Sequence, residues 1–298
     1  MNMIVTLRRR GRAGEFAPST LIETGKILHE MRLIKSAEEM DVMRKANFIT
    51  QEAHIKAMQL TKPGMYEYEV EGIIDNEFRR NGSYAAAYNS IVGTGVNATI
   101  LHYVDNNQQL KDGDLLLIDA GAEYGFYAGD ITRTFPVNGK FTKAQKDVYE
   151  VVLEANKQAT EMVKPGVKFL DIHNKAVEVL TEGMVKIGLL KGDVETLIKE
   201  EKYKQFYMHK TGHWLGMDVH DVGRYFDKDS QSRTIEAGMV MTIEPGLYIQ
   251  ENSVDIPSEY IGIGIRIEDD ILVTETGYEN LSKRVPKEID EIESLMAG

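Results

Sequence analysis

Cysteine is absent from the 298-residue sequence. Its absence excludes a disulfide framework, a thiolate nucleophile and a zinc site built from cysteine ligands. Long apolar runs are absent too, since none approaches the roughly 20 residues that a membrane-spanning helix needs. The start of the chain, residues 1–16, lacks the apolar core of a signal peptide. These absences predict a cytoplasmic protein that does not enter a membrane.

Basic side chains are in the minority. The sequence has 35 Lys and Arg residues against 47 Asp and Glu residues, which gives a formal net charge of −12. Binding to a phosphate backbone requires a basic surface. The one local basic run, at residues 8–12, lies near the N-terminus, where we expect a solvated tail. We therefore predict a globular protein without a nucleic-acid partner.

A pair of helices is predicted near the start of the chain. Ser36 followed by Glu39 is a capping box, which predicts a helix that continues to about Leu60. A Lys-Pro-Gly stop follows this helix. A second helix is predicted from about Glu67 to Arg80, where an Asn-Gly pair ends it.

The same order of signals returns 102 residues later. Thr142 and Gln145 form a second capping box, and their helix leads to a second Lys-Pro-Gly stop at 164–166. A further helix is predicted from about Phe169 to Gly183. Because the stops and the helix order coincide, we predict that the chain contains an internal duplication.

Strand signals lie between and after the helices. They are apolar or alternating runs at Leu115–Ile118, Ile131–Val137, Gly238–Ile249 and Ile261–Thr274. Helices grouped apart from antiparallel hairpins indicate an α+β fold. Together with the duplication, this pattern predicts two helix-plus-strand halves that share one central sheet, in a domain from about residue 35 to residue 298.

Four acidic residues stand at the ends of strand-like runs. They are Asp119, Asp130, Glu244 and Glu268. An acid beside such a run is expected to be at least half-buried, where an unpaired carboxylate is costly. A hairpin between the first two strands would bring Asp119 and Asp130 to one end of the sheet. The four carboxylates therefore predict a site that binds cations.

Histidines are few but concentrated. Of the seven, His209, His213 and His220 lie within one short segment, and His102 lies in another apolar context. Oxygen ligands with one imidazole suit Mn(II), Co(II) or Fe(II) better than a structural zinc site, and Zn(II) stays an alternative. Two such ions, about 3.5–4 Å apart, can bridge a water, lower its pKa and polarise a scissile carbonyl. This composition indicates a hydrolase.

The motifs around these residues resemble those of aminopeptidase P, a group within the pita-bread metallopeptidase family. They occur in the family's order as Ile118–Gly121, Gly129–Phe135, His209–Asp221, Ile243–Tyr248 and Gly264–Asp270. The resemblance implies two pseudo-symmetric halves around a central curved antiparallel sheet. It also implies a metal-dependent Xaa-Pro aminopeptidase, in which a hydroxide that bridges two ions cleaves the bond before a proline at the second position of a peptide.

The resemblance implies how the ions are held, with Mn(II) as the expected metal. Asp119 would bind one ion, and His213 and Glu244 would bind the other. Asp130 and Glu268 would bridge both ions. Glu244 would also accept a proton from the attacking water.

The resemblance assigns further residues to the substrate. His102 and His220 would hydrogen-bond the peptide around the scissile bond and stabilise the tetrahedral intermediate. His209, Tyr248 and Arg266 would line the pocket for the proline. A homo-oligomer is expected on the same basis.

The sequence departs from the family pattern in two places. Lys210-Thr211-Gly212 stands where bacterial relatives commonly have Gly-x-Ser, so the pocket wall is expected to differ. Bacterial relatives also carry a whole domain before the catalytic one. We expect residues 1–34 to be a linker or a remnant of that domain and residues 35–298 to be the catalytic domain. The chain would then be a naturally short form or a fragment.

Three alternatives stay open. Prolidase, which is restricted to dipeptides, and methionine aminopeptidase share the metal set, although the pocket motifs of methionine aminopeptidase differ from residues 212–216 and 245–248. The third alternative is a non-catalytic binding protein on the same scaffold. Such proteins usually lose metal ligands, whereas all five are present here.

Overall fold

The structure is a computed structural model, and it describes residues 2–20 and 22–298. Its α-helices are α1 (Asn2–Arg9), α2 (Gly25–Leu33), α3 (Ala37–Leu60), α4 (Glu67–Arg80), α5 (Lys143–Glu161), α6 (Phe169–Lys186), α7 (Val194–Lys199) and α8 (Ile289–Ala297). Its strands are β1 (Ala85–Ala86), β2 (Ile91–Thr94), β3 (Leu115–Ala120), β4 (Ala122–Tyr124), β5 (Tyr127–Ala128), β6 (Ile131–Pro136), β7 (Val240–Ile243), β8 (Gly246–Tyr248), β9 (Gly264–Arg266), β10 (Asp269–Val273) and β11 (Tyr278–Asn280). Within the described ranges, no helix has both the length and the apolar character that crossing a bilayer requires.

The helix starts confirm both predicted capping boxes. At the start of α3, the N–H of Glu39 donates to Ser36 Oγ at 3.3 Å, and the N–H of Ser36 donates to the Glu39 carboxylate at 2.7 Å. Thr142 and Gln145 form the same reciprocal pair at the start of α5. Both predicted helix pairs are present. Only α6 differs from its predicted bounds, since it continues beyond Gly183 to Lys186. Met184 in this last turn is fully buried, and its packing in the core stabilises the extra turn.

The last two predicted extended segments are each divided into two strands. β7 and β8 are separated at Glu244 and Pro245, because proline has no N–H to donate to a ladder. β9 and β10 are separated just before Asp269, where the N–H of Glu268 donates across to the carbonyl of Thr132 at 3.0 Å. The acids Glu244 and Glu268 therefore lie in breaks between strands and not inside them.

The sheets repeat one arrangement in the two halves of the chain. β2, β3 and β6 form a three-stranded sheet after the first helix pair, and β7, β10 and β11 form another after the second pair. All pairings between the named strands are antiparallel. A β-bridge between Thr132 and Glu268 joins the halves. The structure is therefore the predicted α+β fold built from two helix-plus-strand halves.

Both halves present their acidic residues in the same way. In the first half, Asp119 lies near the end of β3, the hairpin β4–β5 follows, and Asp130 immediately precedes β6. In the second half, Glu244 immediately follows β7, the hairpin β8–β9 follows, and Glu268 immediately precedes β10. Since β3 pairs with β6 and β7 pairs with β10, each half brings its two acids together.

A buried polar network lies behind these acids. The fully buried guanidinium of Arg133 donates to the carbonyl of Glu268 and to Asp269 Oδ1, both at 2.6 Å. Lys287 Nζ donates to Asp269 Oδ2 at 2.6 Å and to Asn156 Oδ1 at 2.7 Å. Burial alone would raise the pKa of Asp269, but the charges of Arg133 and Lys287 outweigh it and lower that pKa. The network therefore connects β6 and β10 through ionised groups.

The N-terminal segment contains α1 and α2, while residues 1 and 21 of the predicted linker lie outside the described residues. At the end of α2, Leu33 is fully buried in a hydrophobic cluster that includes Trp214. Glu30 accepts two hydrogen bonds from the guanidinium of Arg233, each at 2.8 Å. α2 is therefore attached to the domain that follows it.

Replacing Arg133 tests whether the buried network stabilises the fold. Arg133→Met removes one charge of a fully buried ion pair, which should lower the free energy of unfolding by about 3–5 kcal/mol. The control, Arg44→Met, removes a pair with Glu279 whose side chains are 43% and 37% exposed, and it should cost about 1 kcal/mol or less. Urea denaturation measures both. Equal losses in the two variants would contradict the stabilising role.

Candidate metal centre

A cavity of about 880 Å³ opens between the two halves. Nine of the ten predicted site residues line it, namely His102, Asp119, Asp130, His209, His213, His220, Glu244, Arg266 and Glu268. The tenth, Tyr248, is fully buried behind the wall and contacts two of the nine. The fold therefore brings together residues that are spread over more than half of the sequence.

Asp119 and Asp130 face each other where β3 turns towards β6. The hydroxyl of Tyr88 lies between them, 2.6 Å from Asp119 Oδ1 and 2.5 Å from Asp130 Oδ1. The two backbone segments approach so closely that a Cβ on Gly121 would lie 1.7 Å from the carbonyl oxygen of Gly129. Glycine is therefore required at position 121 for the two acids to meet.

His213 is held by its backbone and by one ring nitrogen. A Cβ on the preceding Gly212 would lie 1.9 Å from the carbonyl oxygen of Thr242, so only glycine permits this approach. The His213 ring donates from Nδ1 to the carbonyl of Trp214 at 3.0 Å. This bond fixes the orientation of the ring and leaves Nε2 available as a ligand. Nε2 lies 3.3 Å from Asp130 Oδ2.

Arg266 and Glu268 share one face, as the alternation of the sequence predicts. Thr132 Oγ1 contacts both, donating to Glu268 Oε2 at 2.6 Å and accepting from Arg266 Nε at 3.1 Å. Arg266 also donates to Asp119 Oδ2 at 2.6 Å. The guanidinium therefore neutralises part of the acidic cluster from its edge.

Three potential ligands converge on one point. Ligand atoms of Asp130, His213 and Glu268 all lie within 4.8 Å of one another. Glu244 flanks this group, with Oε1 at 3.7 Å from His213 Nε2. Asp119 flanks it on the other side through the shared Tyr88 hydroxyl. All five predicted ligands therefore belong to one cluster.

The electrostatics of this cluster suit a cation. Burial raises the pKa of Asp130 and of Glu268, and it raises the pKa of Glu244 to about 7. Burial alone would lower the pKa of His213, but its hydrogen bond to Asp130 and the charge of Glu244 outweigh this and raise it to about 9. These shifts show a site short of positive charge. Carboxylates with one imidazole form a donor set that fits a divalent metal ion.

His209, Tyr248 and Arg266 form one hydrogen-bonded wall. His209 donates from Nδ1 to the carbonyl of Lys210 at 2.8 Å, so its Nε2 accepts from the Tyr248 hydroxyl at 2.8 Å. That hydroxyl accepts from Arg266 at 3.0 Å. Burial lowers the pKa of His209 to about 3, so its imidazole stays neutral. Tyr248 thus positions two cavity residues and does not face the cavity itself.

His102 and His220 both line the cavity. The rings of His220 and His213 meet edge to face, with their centroids 4.3 Å apart. Burial and the neighbouring His213 lower the pKa of His220. A neutral imidazole in this place can donate a hydrogen bond to a bound molecule.

Three residues of the cluster were not predicted. Tyr88 lies between two of the acids, and no pattern in its sequence neighbourhood indicates this. Thr132 and Asp270 each follow a predicted acid by two positions, and a strand places residues at that spacing on one face. The fully buried Asp270 accepts from the N–H of Asp130 at 2.9 Å. The alternation rule could therefore have found Thr132 and Asp270.

The chain is similar to known metallopeptidases. A model of metallopeptidase family M24 matches residues 41–275. The chain is 52% identical over 292 residues to the Xaa-Pro aminopeptidase of Escherichia coli strain K12, an alignment that covers 98% of this chain and 66% of that protein. The chain therefore spans slightly less than two thirds of the length of this relative.

Two solved structures are similar throughout the chain. Escherichia coli aminopeptidase P with the inhibitor Pro-Leu superposes with a TM-score of 0.93 and 51% identity, covering 99% of this chain and 67% of that one. Aminopeptidase PepP from Pseudomonas aeruginosa gives a TM-score of 0.94 and 49% identity, covering 100% of this chain and 67% of that one. This likeness confirms the predicted pita-bread fold.

Thermal melts with Mn(II) and with a chelator, at about pH 5.5 and pH 8, test the cluster. Without metal, carboxyl groups with raised pKa values make the fold less stable as pH climbs from about 4 to about 7. His213 acts in the same direction up to about pH 9. Metal removes this loss and adds about 2.7 kcal/mol at a hundredfold excess over Kd.

The difference in Tm between the metal-loaded and chelated samples should therefore widen at pH 8. Ligands must also be deprotonated to bind a metal, which adds to the same trend. Equal Tm values with and without Mn(II) at both pH values would contradict a metal centre.

Proposed function

Because the chain belongs to metallopeptidase family M24, we propose that it is a Xaa-Pro aminopeptidase, a metal-dependent hydrolase that releases the residue preceding a proline. The single observation that carries this proposal is the convergence of four carboxylates and His213 on the floor of one cavity. The relative from Escherichia coli is named for the same activity.

We assign five residues to two divalent ions. Asp119 would hold one ion, His213 and Glu244 would hold the other, and Asp130 and Glu268 would contact both. The ions, Mn(II) by preference with Co(II), Fe(II) or Zn(II) as alternatives, supply Lewis acidity that activates the attacking water and polarises the scissile carbonyl. The short distances between Asp130, His213 and Glu268 support this assignment.

Glu244 serves as the proton acceptor. Its two carboxylate oxygens lie 3.7 Å from ring nitrogens of His213 and His209, and the described residues give it no lysine or arginine partner. A carboxylate that faces the cavity can take a proton from the attacking water and return it to the leaving amine.

His102 and His220 bind the peptide at the scissile bond. Both line the cavity near the acidic cluster. The low pKa of His220 keeps its imidazole neutral near pH 7, so one ring nitrogen can donate to the oxyanion that develops in the transition state. Donors placed for the transition state lower the barrier because the ground state binds them less strongly.

The wall formed by His209, Tyr248 and Arg266 receives the proline. Its hydrogen bonds fix the neutral ring of His209 at the cavity surface, beside Glu244. The structure of the Escherichia coli relative with the inhibitor Pro-Leu supports a proline site in this fold. The preferred substrates are therefore peptides with proline at the second position.

We extend the proposal to the domain organisation of the chain, its oligomeric state and its location in the cell. We assign residues 35–298 to the catalytic domain and residues 1–34 to a linker or domain remnant. A homo-oligomer accompanies the activity, as the family resemblance implies, and we propose a cytoplasmic location. No membrane or nucleic-acid partner is part of the proposal.

A peptide panel tests the activity against its alternatives. The Mn(II)-loaded chain should cleave Xaa-Pro-Xaa peptides faster than Xaa-Pro dipeptides, and it should leave Met-Ala peptides intact. Preference for the dipeptides would identify a prolidase, and cleavage of Met-Ala peptides would identify a methionine aminopeptidase. Metal binding without turnover of any peptide would identify a binding protein.

Two groups of variants should fail in different ways. Asp130→Ala and Glu268→Ala should lose bound metal and turnover together, because each residue contacts both ions. His102→Ala and His220→Ala should keep their metal and lower kcat by about two to three orders of magnitude, as expected for one lost oxyanion donor. Metal analysis and peptide kinetics distinguish the groups. Metal loss in a histidine variant would make that histidine a ligand.

A further inference from the structure

A buried ion pair connects the turn between α2 and α3 to the loop that carries His220. Lys35 Nζ lies 3.3 Å from Asp221 Oδ2, and each side chain is 1% exposed. Arg32, in α2, contacts the other carboxylate oxygen, Asp221 Oδ1. The pair lies outside the metal cluster, and the proposed mechanism gives it no role.

The loop at 214–221 is closed around this carboxylate. The N–H of Asp221 donates to the carbonyl of Trp214 at 2.8 Å, and Asp221 Oδ1 accepts from the N–H of Val222 at 2.9 Å. A Cβ on Gly216 would lie 2.1 Å from Asp221 Oδ2 and 3.0 Å from Lys35 Nζ. The loop therefore needs glycine at position 216 to admit the ion pair.

His220 depends on this loop for its position. Its ring lines the cavity, yet no hydrogen bond to the described part of the chain fixes its nitrogens. Its ring meets the ring of His213 edge to face, with the centroids 4.3 Å apart. The orientation of His220 is therefore set mainly by its backbone, and the next residue along that backbone is Asp221.

Lys35 is anchored on its own side. Its N–H donates to the carbonyl of Gly238 at 2.9 Å, two residues before β7. The following residue, Ser36, caps α3, and Leu33 is buried in the cluster that includes Trp214. The lysine thus joins α2, α3 and the start of β7 to the loop through one side chain.

We propose that Lys35 and Asp221 are positioning residues for His220, through which the turn between α2 and α3 sets the rate of the catalytic step. The inference rests on the proposed function in one respect, the contact of His220 with substrate. A buried ion pair is seldom more stabilising than an apolar replacement, so its place beside His220 is better explained by geometry than by stability. Misplacing a catalytic group by about 1 Å can cost about a hundredfold in rate.

The double variant Lys35→Met/Asp221→Asn tests this role without leaving one buried charge unpaired. We expect kcat to fall about ten- to a hundredfold, while KM and bound metal stay within twofold of the parent chain. Backbone amides at 214–222 should exchange with deuterium faster. The control, Arg44→Met/Glu279→Gln, removes the exposed ion pair and should change none of these quantities.

The same double variant is then made in a His220→Ala background. If the pair acts through His220, its removal should lower kcat by less than twofold there. An equal fall in both backgrounds would overturn the proposal, because it would show a general structural effect. Should the double variant not fold, Lys35→Gln, which keeps a donor, replaces it in both backgrounds.

Amide exchange separates this inference from the proposed function. If the metal-loaded parent chain cleaves no Xaa-Pro peptide, the proposed function fails, and exchange at 214–222 still decides whether the pair holds the loop. Unchanged protection of these amides in the double variant would overturn the positioning role whatever the activity.

Discussion

Burying several carboxylates at one point is the constraint on which the rest of the structure depends. Asp130, Glu268 and Asp270 are each at most 4% exposed, and their charges repel one another where water cannot screen them. Neighbouring groups offset this repulsion with hydrogen-bond donors and positive charge. The guanidinium of Arg266 donates to Asp119, and the N–H of Asp130 donates to Asp270. A bound metal ion would supply the positive charge that the site still lacks.

The two halves meet this constraint by repeating one device. A strand ends at an acid, a hairpin follows, and a second acid opens the returning strand. The polar network behind the strands then holds the backbone beside two of the acids in place. In this network, the amide of Asn156 donates to the carbonyls of Ile243 at 3.0 Å and Ile267 at 3.2 Å. Those carbonyls immediately precede Glu244 and Glu268. Rigid support of this kind keeps ligands in place when the charge on the site changes.

Local signals were sufficient for much of this architecture. Capping boxes predicted the helix starts because their hydrogen bonds join residues three positions apart. Acids beside apolar runs indicated the site because a buried carboxylate is costly unless a cation or a hydrogen-bond donor compensates its charge. Tyr88 and the Lys35–Asp221 pair could not be found in this way, since the latter joins residues 186 positions apart. Their contacts form only when the tertiary structure sets the strand register and the loop packing. The break at Glu268 depends on its contact with Thr132 in the other half for the same reason.

We propose that this cluster holds two divalent ions between the halves. Anomalous diffraction from crystals of the chain grown with Mn(II) tests it directly. The account predicts two peaks about 3.5–4 Å apart, both within bonding distance of Asp130 and Glu268. A single peak, or two peaks that do not share these carboxylates, would contradict the dinuclear centre.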